Sequence, residues 1–336
     1  MMEIRSDWLT LVEEEVIDPE RPIIDAHHHF FVGNEAFPDY RLDDLWADTG
    51  SGHRIVGTVF VDCGVGYRQK GPSEFAPVGE TEYVAQVAGE AARSPGRAQV
   101  RAIVSHVQLS LGERARPVLE AHIEASPLFR GIRDVAAWDA TEGVPCSEVA
   151  TDEKLYLDPT FREGFAQLAK LGLSYDAYNY HTQTAHLTDL ARAFPETPIV
   201  FNHLGSPLGI GPYAGRREEI FEDWKGRVSE LASCPNVVAK LGGLAMPWIG
   251  FGWEERERPP TSDELVASQR PYILHAIEVF GPERCMFESN FPVEKLCVSY
   301  PVVWNAFKKL VKDFSEDEQD ALFRGTAARV YRLDDA

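Results

Sequence analysis

The stretch IIDAHHHF, residues 23–30, opens on a β-branched apolar pair and closes on an acid, a small residue, three histidines and an aromatic. It reads as a short buried strand that runs into polar residues at its carboxyl end. Seven further runs repeat the pattern: IVGTVFV near 55, QVRAIVSHV near 99, FRGIRDV near 129, LSYDAYN near 173, PIVFNHL near 198, NVVAKLG near 236 and RCMFESN near 284. Their starts are roughly 25 to 48 residues apart, the room that one crossover helix and its loops require. Between them lie segments of helical period such as TEYVAQVAGEAAR, TFREGFAQLAKLG and REEIFEDWKGRVSELAS.

Local punctuation agrees with this alternation. Asp158 precedes Pro159 at a first-turn position and Gly172 follows the last turn, while Ser315 and Glu318 make a capping-box pair. SDELVASQRPYILHAIEVFG should be a helix kinked or interrupted near Pro271. Eight strands alternating with helices, with no linker or shift in composition, predict one α/β domain over 1–336: a single (β/α)8 TIM barrel, residues 1–20 packed on its outside. No GxGxxG follows the first strand, as a doubly wound dinucleotide fold would want. The Gly-rich stretches GSPLGIGPYAG and PWIGFGW instead follow strands six and seven, so loops 205–216 and 246–260 are expected to border a pocket.

A formal net charge of -20 and a pI near 4.9 oppose nucleic acid and anionic membranes as partners. The acidic start MMEIRSDWLTLVEEE lacks the basic and continuously apolar parts of a secretory signal, and no apolar run is long enough to span a membrane. Five scattered cysteines without a CxxC pair argue against a disulfide framework and a thiolate zinc site. A cytoplasmic protein acting on a small molecule is expected; a homo-oligomer is compatible with the sequence.

Barrel enzymes gather their active sites at the carboxyl ends of the strands. Period-two alternation sends His27 and His29 together into that mouth and His28 away from it. Later strands end on Arg133, on Tyr178 and His181, on His203, on Lys240, and on Glu288 and Asn290. Each alone has a structural explanation, such as a cap or an ion pair, but their recurrence at strand ends is harder to assign to structure. Arg133 and Lys240 suit an anionic substrate. Trp248, Phe251 and Trp253 suggest an apolar wall or lid.

Taken in order, PIIDAHHHFF, FRGIRDVAAWD, LSYDAYNYHTQ, IVFNHLG, NVVAKLGG, RCMFESNFPVEK and LFRGTAARVYRL resemble the amidohydrolase superfamily. The resemblance is to its amidohydrolase-related branch of barrel hydrolases, which includes 2-pyrone-4,6-dicarboxylate and sugar-lactone lactonases. It covers nearly the whole chain. It implies an HxH pair at His27 and His29, a histidine at His203, and an acid of strand eight that is replaced here by Asn290. In that family the acid either holds a metal or activates water, and an amide does neither well. Glu288, two residues earlier on the same expected face, is then the candidate base.

The preferred reading is hydrolysis of a small carboxylated lactone or cyclic ester. His27, His29, His203, Glu288 and Asn290 would form the catalytic group; Arg133, Tyr178, His181, Lys240 and Trp248 would hold the substrate. One divalent ion, zinc or manganese, would sit on His27, His29, His203 and Glu288 if a metal is used, and catalysis without one is the alternative. A metal-dependent decarboxylase of an aromatic or enoic acid and a non-catalytic acid-binding barrel are the other classes weighed.

Overall fold

The computed structural model describes residues 3–33, 36–147, 150 and 153–333. Eight strands form one sheet: β1 (Pro22–His28), β2 (Arg54–Val61), β3 (Val100–Ser105), β4 (Phe129–Ile132), β5 (Ser174–Ala177), β6 (Ile199–Phe201), β7 (Val237–Leu241) and β8 (Cys285–Phe287). They lie in sequence order and every neighbouring pair is parallel. The barrel closes just beyond β8, where Asn290 N donates to His27 O at 2.9 Å and His29 N donates to Phe291 O at 2.8 Å. Closure and candidate site therefore share residues.

Two apolar layers follow from the alternation of strand side chains. Ile24, Ala26, Val59, Val61, Ala102, Val104, Val200, Val238 and Met286 fill the barrel interior, with Tyr331 joining them. Ile23, Ile55, Phe60, Ile103 and Ile199 face the surrounding helices. Strict alternation from Ile24 and Ala26 would send His28 inward, not its neighbours. A register shift between Asp25 and His28 reverses this. Such an irregularity re-aims side chains: His28 Nε2 meets Thr58 Oγ1 at 3.0 Å and its ring packs edge-on to Phe60, leaving His27 and His29 on the side of the barrel that leads to the mouth.

The helices carry the expected caps. Asp158 accepts from Phe161 N at 2.8 Å, and Ser315 and Glu318 bond reciprocally. The interruption allowed for near Pro271 is absent, because the helix Ser262–Phe280 continues through it. A capping box at Thr261 and Glu264 starts it, and buried Leu265, Gln269, Tyr272, Ile273, Ala276 and Ile277 continue one stripe across the proline. That burial offsets the roughly 3 kcal/mol an interior proline costs. The amino-terminal segment lies against this helix and its approach loop: Trp8 Nε1 donates to Arg256 O at 3.0 Å, and Glu14 accepts from Ser262 N at 2.8 Å. Among the described residues no helix is long and apolar enough to cross a membrane.

Candidate active site

A cavity of about 650 Å³ opens at the carboxyl ends of the strands. His29, Asp62, His106, Arg133, Tyr178, His203 and Asn290 supply its polar lining; Phe31, Phe37, Val135, Met246 and Trp248 supply apolar walls. His203 and Asn290 both have left-handed backbones, with φ of 54° each. Such conformations are uncommon outside glycine and persist at functional sites when the surroundings hold them. Trp224 Nε1 holds the His203 turn by donating to Leu204 O at 2.7 Å. At the other residue, Asn290 O accepts from Glu294 N at 3.2 Å.

Beneath the lining lies a second, fully buried layer. Glu288 Oε1 accepts from His203 Nδ1 at 2.7 Å and from His203 N at 3.3 Å. With Nδ1 committed to the carboxylate, the opposite ring nitrogen of His203 is left as the acceptor. The second oxygen, Glu288 Oε2, lies 2.9 Å from His27 Nδ1 but is not well directed for a hydrogen bond. Lys240 Nζ stands 3.3 Å from the same Nδ1 and pairs with Asp176 at 2.7 Å. Asp176 also accepts from Tyr331 OH at 2.8 Å.

The positions of the histidine atoms permit two proton arrangements. His29 Nδ1 donates to Val61 O at 2.8 Å, so its Nε2 is a bare acceptor, 3.1 Å from His27 Nε2. In the first arrangement Lys240 donates to His27 Nδ1 and His27 Nε2–H donates to His29 Nε2. In the second the His27 proton moves to Nδ1, beside Glu288, and two bare Nε2 atoms face each other. A cation between them would relieve this, and 3.1 Å suits two ligands of one tetrahedral ion. Ligand atoms of His27, His203 and Glu288 also lie within 4.8 Å of one another, a group that fits a divalent ion. Burial, reinforced by Lys240 at His27 and by Arg133 at His29, holds both imidazoles neutral, well below the usual histidine range.

Of the residues singled out in the sequence, His29, His203, Asn290, Arg133, Tyr178 and Trp248 line the cavity. His27 and Glu288 lie directly under it, both fully buried. Lys240 and His181 lie outside that lining. Lys240 is fully buried and pairs with Asp176 and His27. His181 accepts from Leu208 N at 3.3 Å and packs on Tyr213, away from the cavity lining. Loop 205–216 contributes nothing to that lining, whereas Met246 and Trp248 do. Asp62 and His106, at the ends of β2 and β3, were missed. The strand-end rule that found the others would have found them in VFVDCG and IVSHV.

The glycine pair after β7 is a further signal. A Cβ on Gly242 would lie 2.5 Å from Glu288 Cγ, and one on Gly243, whose φ is +71°, would collide with the His203 ring. Gly243→Ala should therefore displace His203 and lower kcat about a hundredfold, the scale of a 1 Å misplacement. Thermal melting should show a far smaller change, and a mutant with normal turnover would mean that the ring position is not critical.

Residues 24–333 match the amidohydrolase family model. An uncharacterized protein of Sinorhizobium fredii is 33% identical over 331 residues, covering 95% of this chain and 98% of its own length. An L-fucono-1,5-lactonase of Burkholderia ambifaria is 27% identical over 318 residues, covering 93% and 96%. A crystal structure of an amidohydrolase from Burkholderia multivorans with bound Zn aligns with a TM-score of 0.72 at 23% identity, covering 93% of this chain and 100% of that one. Likeness at that level concerns the fold.

Proposed function

Since this chain belongs to the amidohydrolase family, we propose that it is a hydrolase which opens a small lactone by water attack at the barrel mouth. The observation that carries the reading is the 2.7 Å contact between Glu288 and His203 Nδ1. It makes His203 an oriented general base in a cavity where Asn290 cannot serve as one. The similarity to an L-fucono-1,5-lactonase supports a lactone as the ester.

The chemistry follows from these positions. His203 Nε2 takes a proton from water while the water oxygen bonds to the lactone carbonyl carbon, and the carbonyl π electrons move onto oxygen. Arg133 and the Asn290 amide, whose Nδ2 is buried without a partner, stabilise that oxyanion. When the carbonyl re-forms, the ring C–O bond breaks and the proton on His203 passes to the leaving alkoxide. The product is the open hydroxy acid. Glu288 acts through His203 by holding its tautomer and stabilising the imidazolium, so the base expected at Glu288 moves one residue outward.

His27 and His29 would hold a divalent ion with His203 or the Asn290 carbonyl, and Glu288 would then orient His27. Such an ion would supply Lewis-acid polarisation of the carbonyl. Two features of the chain weaken its hold: Asn290 brings no charge, and Arg133 Nη1 stands 3.4 Å from His27 Nε2. A panel of aldono- and aliphatic lactones followed by proton release, with metal analysis of the same preparation, tests the reading. Turnover of at least one lactone class is expected. Carbon dioxide release from carboxylated substrates with no lactone turnover would replace hydrolysis by decarboxylation.

A further inference from the structure

The site as described leaves one cavity-lining carboxylate without a task. Asp62 follows β2 and is 7% exposed. Its Oδ2 lies 3.6 Å from Arg133 Nε and its Oδ1 accepts from Tyr67 OH at 3.4 Å. Both contacts are long, and a carboxylate offers about four acceptor positions, so most of its capacity is open. The loop beneath is held firmly. Fully buried Glu80 Oε1 accepts from the N–H groups of Cys63, Gly64 and Val65 at 3.0, 2.9 and 3.2 Å, while its Oε2 accepts from Ser105 Oγ at 2.6 Å.

Arg133 is correspondingly occupied. Its Nη2 donates to the main-chain oxygen of Asp62, its Nη1 faces His27 Nε2 at 3.4 Å, and its Nε faces the Asp62 carboxylate. A two-pronged grip on a carboxylate would have to displace these contacts. The other strand-end cation, Lys240, is neutralised by Asp176 below the cavity. An anionic ligand would thus meet an engaged arginine and the Asp62 carboxylate beside it.

We infer that Asp62 is the specificity-determining residue of this cavity: it accepts a hydroxyl of an uncharged lactone and excludes lactones bearing a carboxylate at the same position. The inference rests on the lactone reading and reverses the acidic substrate that Arg133 and Lys240 suggested. A hydroxyl donates to Asp62 without disturbing its pairing with Arg133, whereas a carboxylate must be desolvated beside a like charge.

Two lactams that cannot be hydrolysed test this through binding alone. One is a hexono-1,5-lactam with a terminal hydroxymethyl; the other is its analogue with a carboxylate there. Calorimetry on the wild-type protein should show the hydroxymethyl form bound at least tenfold tighter. Asp62→Asn should shrink that ratio at least tenfold by improving the carboxylated form, and Asp62→Glu should largely keep it. The inference is overturned if the carboxylated lactam binds wild type equally well, or if Asp62→Asn weakens both alike while circular dichroism shows a folded protein. Should Asp62→Asn not fold, loss of discrimination in Asp62→Glu would overturn it as well. Binding of neither lactam removes both this inference and the lactone reading, whereas intact discrimination without turnover of the parent lactones removes only hydrolysis.

Discussion

Replacing His203 by Asn should lower kcat for a lactone substrate by between about a hundredfold and ten-thousandfold, the range of general acid–base contributions. Asparagine is chosen because it tolerates the left-handed backbone, with φ of 54°, that His203 adopts. The turn Asn202–Gly205 and its bond to Trp224 should therefore survive. What disappears is the ring nitrogen opposite the Glu288 contact, and with it the group proposed to take a proton from water and return it to the alkoxide. Steady-state kinetics with a melting curve for each variant measure the effect. A folded His203→Asn protein with near-normal kcat would assign water activation elsewhere.

The second large effect is expected at Arg133. Met preserves much of its packing against Tyr178, over whose ring the guanidinium sits at 5.8 Å, but removes the cation beside His27 and Asp62. Turnover of neutral lactones should fall about a hundred- to a thousandfold in kcat, as for loss of an oxyanion donor. A rise in KM with kcat unchanged would instead mark Arg133 as a ground-state binding residue. The test is sharpened by the pairing with Asp62, because an arginine whose task is to hold an anionic substrate should spare neutral ones.

The barrel was legible in the sequence because each strand is a short apolar run with polar residues at its end, and all eight runs are strands in the fold. His29, Arg133, Tyr178, His203 and Asn290 were legible for the same reason, and Trp248 as an aromatic of the loop after β7; all six line the cavity. Depth was not legible. Period two says which side of a strand a residue faces, but not how far down the barrel it stands. Lys240 and Glu288 both belong to the interior, yet Asp176 and Tyr331 keep Lys240 below the mouth, and the His203 and His27 rings cover Glu288. His27 and His29 share a side as alternation expects, but the register shift that sets that side against Ile24 and Ala26 is not visible in any periodicity. His181 lies off the cavity for another reason: the 3-10 turn His181–Gln183 leads it away from the strand axis, toward Leu208 and Tyr213. Pro271 shows tertiary burial overriding a local rule.

The pH–rate profile of wild type beside Glu288→Gln, on chelator-treated protein and one lactone, tests the central claim most directly. Gln keeps the shape and one acceptor for His203 Nδ1–H, but it removes the negative charge that stabilises the imidazolium formed when water gives up its proton. The account predicts a loss of kcat of at least about a hundredfold and an acidic limb displaced from that of wild type. Near-normal kcat with an unchanged acidic limb would contradict it.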